Sequence, residues 1–254
     1  MHRRIVWIGL ALAAPAFAGG CLTAVAPEPE PGVWSRAAEG AAIRALERTA
    51  EAARGVEEYA CRFHRYERKG GKMGTRQIAD VKFRREPYSL YMRWVDPGKF
   101  GAEVLYVAGK YDDTVFARQG GVLFLLPPMR LKPDDELLEQ HSRHKITDFN
   151  SAGTTLLENA RRARAAGSFK ARALGPSDVT GEPVDGYEVL LPGGDDYYAR
   201  RACIWLHRDT GFVARVLAYG DDDELLEDYA FVQYNLDPGF TDADFDPANP
   251  AYRF

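Results

Sequence analysis

The sequence predicts an α+β fold that is mostly β: one curled antiparallel sheet of about ten strands with three helices. Three observations carry this expectation. From Val56 onward the apolar pattern runs in short alternating or continuous stretches separated by glycine, proline and aspartate clusters at hairpin spacing. Helical periodicity is confined to three places. And 254 residues, 46% hydrophobic and 28% charged, suffice for one well-buried core, with no repeat or second boundary that would divide it.

In chain order, Ser35 is placed to cap a helix from about Arg36 to Arg54, with Ile43, Leu46 and Ala50 on one stripe and Gly55 as its stop. Its alanine content makes it narrow, suited to close packing. Six strands follow at Tyr59 to Tyr66, Thr75 to Arg84, Ser89 to Val95, Glu103 to Val107, Thr114 to Arg118 and Val122 to Leu126. Between them stand turn formers such as Gly70-Gly71, Asp96-Pro97-Gly98 and Gly120-Gly121. Pro133-Asp134-Asp135-Glu136 starts a second helix, and Thr155-Leu156-Leu157-Glu158 reads as the capping box of a third that ends at Gly167. Strands resume at Tyr187 to Leu191, Arg200 to His207, Gly211 to Tyr219 and Tyr229 to Asn235. Parity along the strands puts Val81, Phe83, Leu90, Met92, Trp94, Val104 and Tyr106 on one apolar face. Asp80, Lys82, Arg84, Arg93 and Glu103 fall on the other, at least partly wet, face.

The N-terminus reads as an export signal. His2-Arg3-Arg4 is a basic cap, Ile5 to Ala14 an apolar run too short to span a bilayer, and Pro15 a break. Ala16-Phe17-Ala18 suits ordinary signal peptidase, while Ala18-Gly19-Gly20-Cys21 resembles a lipobox in which Cys21 receives the lipid. Both routes stay open. The expected organisation is a signal peptide over residues 1–20, a tether over 21–34 rich in alternating proline and glutamate, and one domain over 35–254. Loss of Arg3 and Arg4 moves the net charge from −4 to −6. Such a balance offers no electrostatic footprint for nucleic acid. In an oxidising compartment Cys61 and Cys203 could pair, or serve as two small buried residues; both readings stand.

Pro87-Tyr88-Ser89-Leu90-Tyr91-Met92-Arg93-Trp94, Pro97, Gly101 to Tyr106, Arg143-His144-Lys145-Ile146-Thr147 and the closing stretch Gly239 to Pro250 resemble the exported bacterial domain-of-unknown-function family fifteen-seventy-one, itself similar to the LolA and LolB lipoprotein carriers. The resemblance covers roughly Tyr59 to the C-terminus. It implies an open LolA-like half-barrel with helices over the concave face and an apolar concavity able to hold acyl chains. It implies no catalytic motif.

On that basis the candidate ligand cavity comprises Phe83, Leu90, Met92, Trp94, Tyr106 and Phe124, wide and apolar enough for acyl chains. Lys82, Arg93 and Glu103 are candidates for a polar mouth that orients a head group; a solvated sheet face explains the same charges. His141 and His144 share a helical face, but no third ligand accompanies them, so no metal is expected. Asp242-x-Asp244-x-Asp246 opens like a calcium loop, yet Pro247 and Arg253 stand where such a loop needs glycine and glutamate; a C-terminal turn anchored by Phe245 is expected instead. Hydrolase and phosphate-loop signatures are missing.

The function these readings predict is a non-enzymatic envelope protein without cofactor. It would bind acyl chains of a lipid or lipoprotein in the periplasm, either free or anchored to the outer membrane through Cys21. The alternative is an envelope structural or interaction protein with a filled core and a protein partner.

Overall fold

The computed structural model describes residues 32–179 and 181–254, without the side chains of Phe124 and Pro176. Cys21 and the expected signal and tether residues before Gly32 lie outside the described residues. Helix α1 spans Arg36–Gly55. Ser35 caps it, its Oγ accepting from the Ala38 N–H at 3.1 Å. The buried stripe is Ala42, Ile43, Ala45, Leu46, Thr49, Ala50 and Ala53.

Twelve strands among the described residues form one antiparallel sheet. They are β1 (Glu58–Lys69), β2 (Lys72–Met73), β3 (Gln77–Arg84), β4 (Ser89–Trp94), β5 (Glu103–Val107), β6 (Val115–Arg118) and β7 (Met129–Leu131), then β8 (Lys170–Val179), β9 (Glu182–Leu190), β10 (Arg201–His207), β11 (Val213–Tyr219) and β12 (Leu225–Asn235). The order is β7-β6-β5-β4-β3-β1-β12-β11-β10-β9-β8, with β2 paired to β1 alone. The first long strand thus pairs with the last, joining two meanders. β7 and β8 end the sheet on opposite sides without pairing to each other, so the barrel is open.

Between the meanders come helix α2 (Glu136–His141) and helix α3 (Ala152–Ala165). α1 and α3 lie on the concave face. Their Leu46, Ala50, Leu156, Leu157 and Ala160 join Phe63, Val81, Leu90, Ile204, Val216 and Phe231 of the sheet in the main core. The helices approach closely because α3 offers a glycine: a Cβ at Gly153 would stand 2.5 Å from Thr49 Cγ2. The convex face carries two smaller clusters. On β9–β12 it holds Val184, Cys203, Trp205, Ala214 and Val232. On β4–β6 it holds Tyr91, Leu105, Val107 and Phe116, covered by Phe245, Phe240, Tyr252 and Phe254 of the C-terminal segment.

Several expectations need correction. Val122–Leu126 is not a strand but a 3-10 turn over Gly121–Leu125. The run is apolar enough for a strand, yet Pro127-Pro128 blocks continued pairing. Gly120 presses on the β4–β5 turn so closely that a Cβ there would lie 2.3 Å from the Lys99 carbonyl oxygen. β8 was not foreseen, since Gly175 and Pro176 interrupt its pattern; the register slips between Ala173 and Gly175, a bulge that absorbs them. α3 begins at Ala152, a turn before Thr155, so Thr155-x-x-Glu158 is helix interior rather than a cap. Of the two readings left open for Cys61 and Cys203, the structure has the second, two buried free thiols. β12 and β11 separate their strands, and the two thiols belong to clusters on opposite faces of the sheet.

Candidate functional site

The concave face is filled unevenly. α1 and α3 pack into the main core of the sheet, whereas a space bounded chiefly by β4–β7, with parts of β1, β11 and β12, is covered by α2, the segment after it, the first turn of α3 and the 3-10 turn at Gly121–Leu125. A cavity of about 430 Å³ remains there. Its sheet wall comprises Phe63 on β1, Leu90, Met92 and Trp94 on β4, Val104 on β5, Ala117 on β6, Met129 and Leu131 on β7 and Phe231 on β12. Leu123, Leu137, Leu138, Ile146 and Phe149 close it from above. The volume lies within the range of small-molecule sites, and the wall is predominantly apolar.

The covering segment is tied down at identifiable points. Tyr88 donates to the Ile146 carbonyl at 2.7 Å, and Asn150 Nδ2 donates to the Ala53 carbonyl at the end of α1 at 2.9 Å. Lys69 Nζ donates to the Ser142 carbonyl at 2.7 Å and also to that of Glu139.

One end of the cavity is polar. β1 and β12 pair in a register that sets Phe63 opposite Phe231, Arg65 opposite Tyr229 and Glu67 opposite Glu227. Arg65, Glu227 and Tyr229 line the cavity together with His144. Glu227 is fully buried; its Oε2 accepts from His144 Nε2 at 2.9 Å and meets Arg143 Nε at 3.3 Å. Glu67 accepts from the Tyr229 hydroxyl and lies 3.4 Å from Arg65 Nη1. Arg65 Nη2 in turn donates to Gln77 Oε1 at 2.6 Å, which the Trp94 indole N–H also reaches at 3.1 Å. Burial and the two neighbouring carboxylates push the Tyr229 phenol far above its ordinary range, so it stays a donor. Burial, then Arg65, holds the Lys99 ammonium below its ordinary value.

Of the residues singled out from sequence, Leu90, Met92 and Trp94 line the cavity. Phe83 does not: it sits in the core, stacked on Tyr59 at 4.9 Å and edge-on to Tyr88 at 5.5 Å. Tyr106 is likewise off the wall, its hydroxyl donating to Asp113 Oδ1 at 2.8 Å. The side chain of Phe124 lies outside the described residues. Lys82, Arg93 and Glu103 are not a mouth of this cavity. Strand alternation turns them to the convex face, opposite Leu90 and Met92. There Lys82 Nζ donates to Asp244 Oδ1 at 2.7 Å, and fully buried Glu103 accepts from the Arg253 N–H at 2.9 Å while facing Arg93 at 3.7 Å. They fasten the C-terminal segment.

His141 Nδ1 contacts the Leu137 carbonyl of its own helix at 2.7 Å, and no cluster of three metal-ligating side chains occurs among the described residues. Asp242 and Asp244 are held by Arg84, Lys110 and Lys82, and Phe245 is buried beneath the turn. The polar constellation of Arg65, Glu67, His144, Glu227 and Tyr229 was missed. Its available signal was parity: Glu67 and Glu227 are acids at positions where inward-facing residues alternate, in line with Phe63 and Phe231.

Residues 56–254 match the model of a family described as Protein of unknown function (DUF1571). The chain belongs to this family. A search of curated proteins found no match. Among solved structures, this DUF1571 protein is similar to the lipoprotein LppX of Mycobacterium tuberculosis, at 13% identity and a TM-score of 0.49 over 78% of this chain and 99% of that one. It is similar to the MucA/MucB complex of Pseudomonas aeruginosa at 18% identity and a TM-score of 0.47, covering 81% of this chain and 60% of the other. A LolA superfamily protein from Nitrosomonas europaea aligns at 10% identity and a TM-score of 0.37, over 80% of this chain and 96% of its own.

Proposed function

We propose that this protein is a non-enzymatic envelope component that holds the acyl chains of a lipid or lipoprotein in the concave-face cavity. The observation that carries the reading is the cavity itself: about 430 Å³ bounded mainly by Leu, Met, Phe, Val and Ala side chains on the face where a compact domain would place filled core. Burial of an acyl chain contributes ~0.8 kcal/mol per methylene, so capture needs no chemistry. Release then requires a competing site. The domain is exported by its N-terminal signal and works in the periplasm, free or held at the outer membrane through Cys21.

The 3-10 turn supports exchange with a bilayer. Val122 and Leu125 are 93% and 88% exposed, while Leu123 of the same turn lines the cavity. No charged residue occurs from Gly120 to Pro128. A lipid surface is the occupant that matches an uncharged apolar tip adjoining an acyl site, because the chain can then pass between them without crossing water. The open volume favours this reading over an interaction protein with a filled core.

Titration of the domain with an acylated fluorescent probe tests it. Wild type is expected to take up one probe and gain thermal stability. Met92→Asp, which sets a charge in the wall, is expected to abolish uptake; Lys82→Ala, on the other face, should leave it unchanged. Equal uptake by all three would refute the placement of the site.

A further inference from the structure

Glu227 is fully buried, lines the cavity and has one carboxylate oxygen in use: Oε2 takes His144 and Arg143. Its other oxygen, Oε1, is buried without a hydrogen-bond partner among the described residues. An acceptor so placed carries the desolvation cost of an unmade hydrogen bond unless something donates to it. The nearby donors are committed elsewhere. Tyr229 donates to Glu67, Arg65 to Gln77 and Glu67, and Lys69 to the carbonyls of Glu139 and Ser142. Glu67, directly across the strand pair, does not line the cavity itself but stands behind its wall, held by Tyr229 and Arg65.

Resting on the acyl-binding reading above, we infer that the cavity selects amphiphiles whose polar end is a hydrogen-bond donor, a hydroxyl above all, which Glu227 Oε1 accepts. A free fatty acid is disfavoured where its carboxylate would approach Glu227 with nothing to donate. A bare ester is intermediate: it meets no like charge but supplies no proton. Besides Arg65, the cations that line the cavity are Lys99, Arg118 and Lys145; burial and then Arg65 hold the Lys99 ammonium below its ordinary value, and Arg118 donates to the Arg253 carbonyl. Arg143 and His144 already serve Oε2.

The test compares three ligands with the same oleoyl chain on the wild-type domain: 1-monooleoylglycerol, methyl oleate and oleate, below their aggregation concentrations. Dissociation constants should rise in that order, with monooleoylglycerol about tenfold or more tighter than oleate, the scale of one hydrogen bond to a charged acceptor. In Glu227→Gln, which keeps shape and removes charge, oleate should gain and the ratio should fall to about threefold or less. Methyl oleate should bind both proteins alike, which reports that the cavity is intact. Oleate binding wild type as tightly as monooleoylglycerol would overturn the inference while leaving the acyl-binding reading in place. So would a preference that survives Glu227→Gln unchanged. If the variant fails to fold, the wild-type series decides alone. Failure of all three ligands to bind would overturn the acyl-binding reading, and the inference with it.

Discussion

Phe83 and Met92 leave the same face of paired strands, yet one is core and the other cavity wall. Phe83 is enclosed by Tyr59 and Tyr88, whereas Met92 lines space that the covering helices leave unfilled. Substitutions should separate these roles. Phe83→Ala removes a fully packed ring and is expected to lower stability by ~3–5 kcal/mol in denaturant unfolding, with acyl affinity little changed in the folded fraction. Ala117→Phe adds volume to the cavity wall rather than to a filled core, so its stability cost should stay within about 1 kcal/mol while probe uptake is lost. The thiols give a second expectation at this scale. Burial and then Glu188 push Cys203 up to about 11, and burial raises Cys61 further. Two thiols should therefore titrate after denaturation without reductant, and neither should react with iodoacetamide at pH 8 in the native state. A single disulfide found on mapping would contradict the fold. Sequence made the wall legible through alternation, because period-two parity places Leu90, Met92 and Trp94 together. It could not separate Phe83 from them, since that depends on which part of the face the helices leave unfilled. Nor did it show the burial of Glu67 and Glu227, where tertiary context overrides the exposure expected of acids.

The elements that matter most are the C-terminal segment and the 3-10 turn. The segment seals the convex face of β4–β6 through Phe245, buried to 1% exposure, and Tyr252, stacked on Tyr91 at 4.0 Å. Phe245→Ala should destabilise by ~3–5 kcal/mol. Its ionic ties set a pH dependence. Hydrogen bonds from Arg84 and Lys110 hold Asp242 below the usual carboxylate value of 3.8. Burial pushes Asp244 up, but Lys82 and Thr241 outweigh it, so that group too is lowered from 3.8. Carboxyls depressed in the folded state add stability that is complete above their unfolded value and disappears as pH falls through the folded value. Hydrogen exchange in residues 240–254 should thus accelerate below about pH 4 before the rest of the sheet opens. Uniform exchange at that pH would show that these pairs do not hold the segment. For the turn, Val122→Asp with Leu125→Asp should weaken association with phospholipid vesicles without altering the melting temperature. Unchanged association would remove the turn from the exchange path. Sequence marked both elements as distinct, the first by its aspartates around Phe245, the second by a strand-like apolar run. Only the flanking prolines hinted that the second could not pair.

At the scale of the molecule, the sheet is open because β7 and β8 stop without meeting, and the cavity exists because α1 and α3 leave part of its concave face unfilled, α3 bordering that space only at its first turn. The antiparallel meanders were legible from turn chemistry. Their closure through β1 and β12, with more than 150 residues between them in the chain, was not, since no local signal specifies a partner so distant. The polar end of the cavity arises from that same long-range pairing. Export and anchoring also belong here: Cys21→Ser should move the protein from the membrane fraction to the soluble periplasm if the cysteine carries the lipid, and an unchanged distribution would favour cleavage after Ala18.

The most direct test of the account is native mass spectrometry, with lipid extraction, on the domain from Val33 onward purified from periplasm without detergent. The account predicts a stoichiometric acyl-bearing amphiphile that is absent from Met92→Asp purified in the same way. A mass equal to that of the polypeptide alone, unchanged after incubation with phospholipid, monoacylglycerol or acylated peptide, would contradict it.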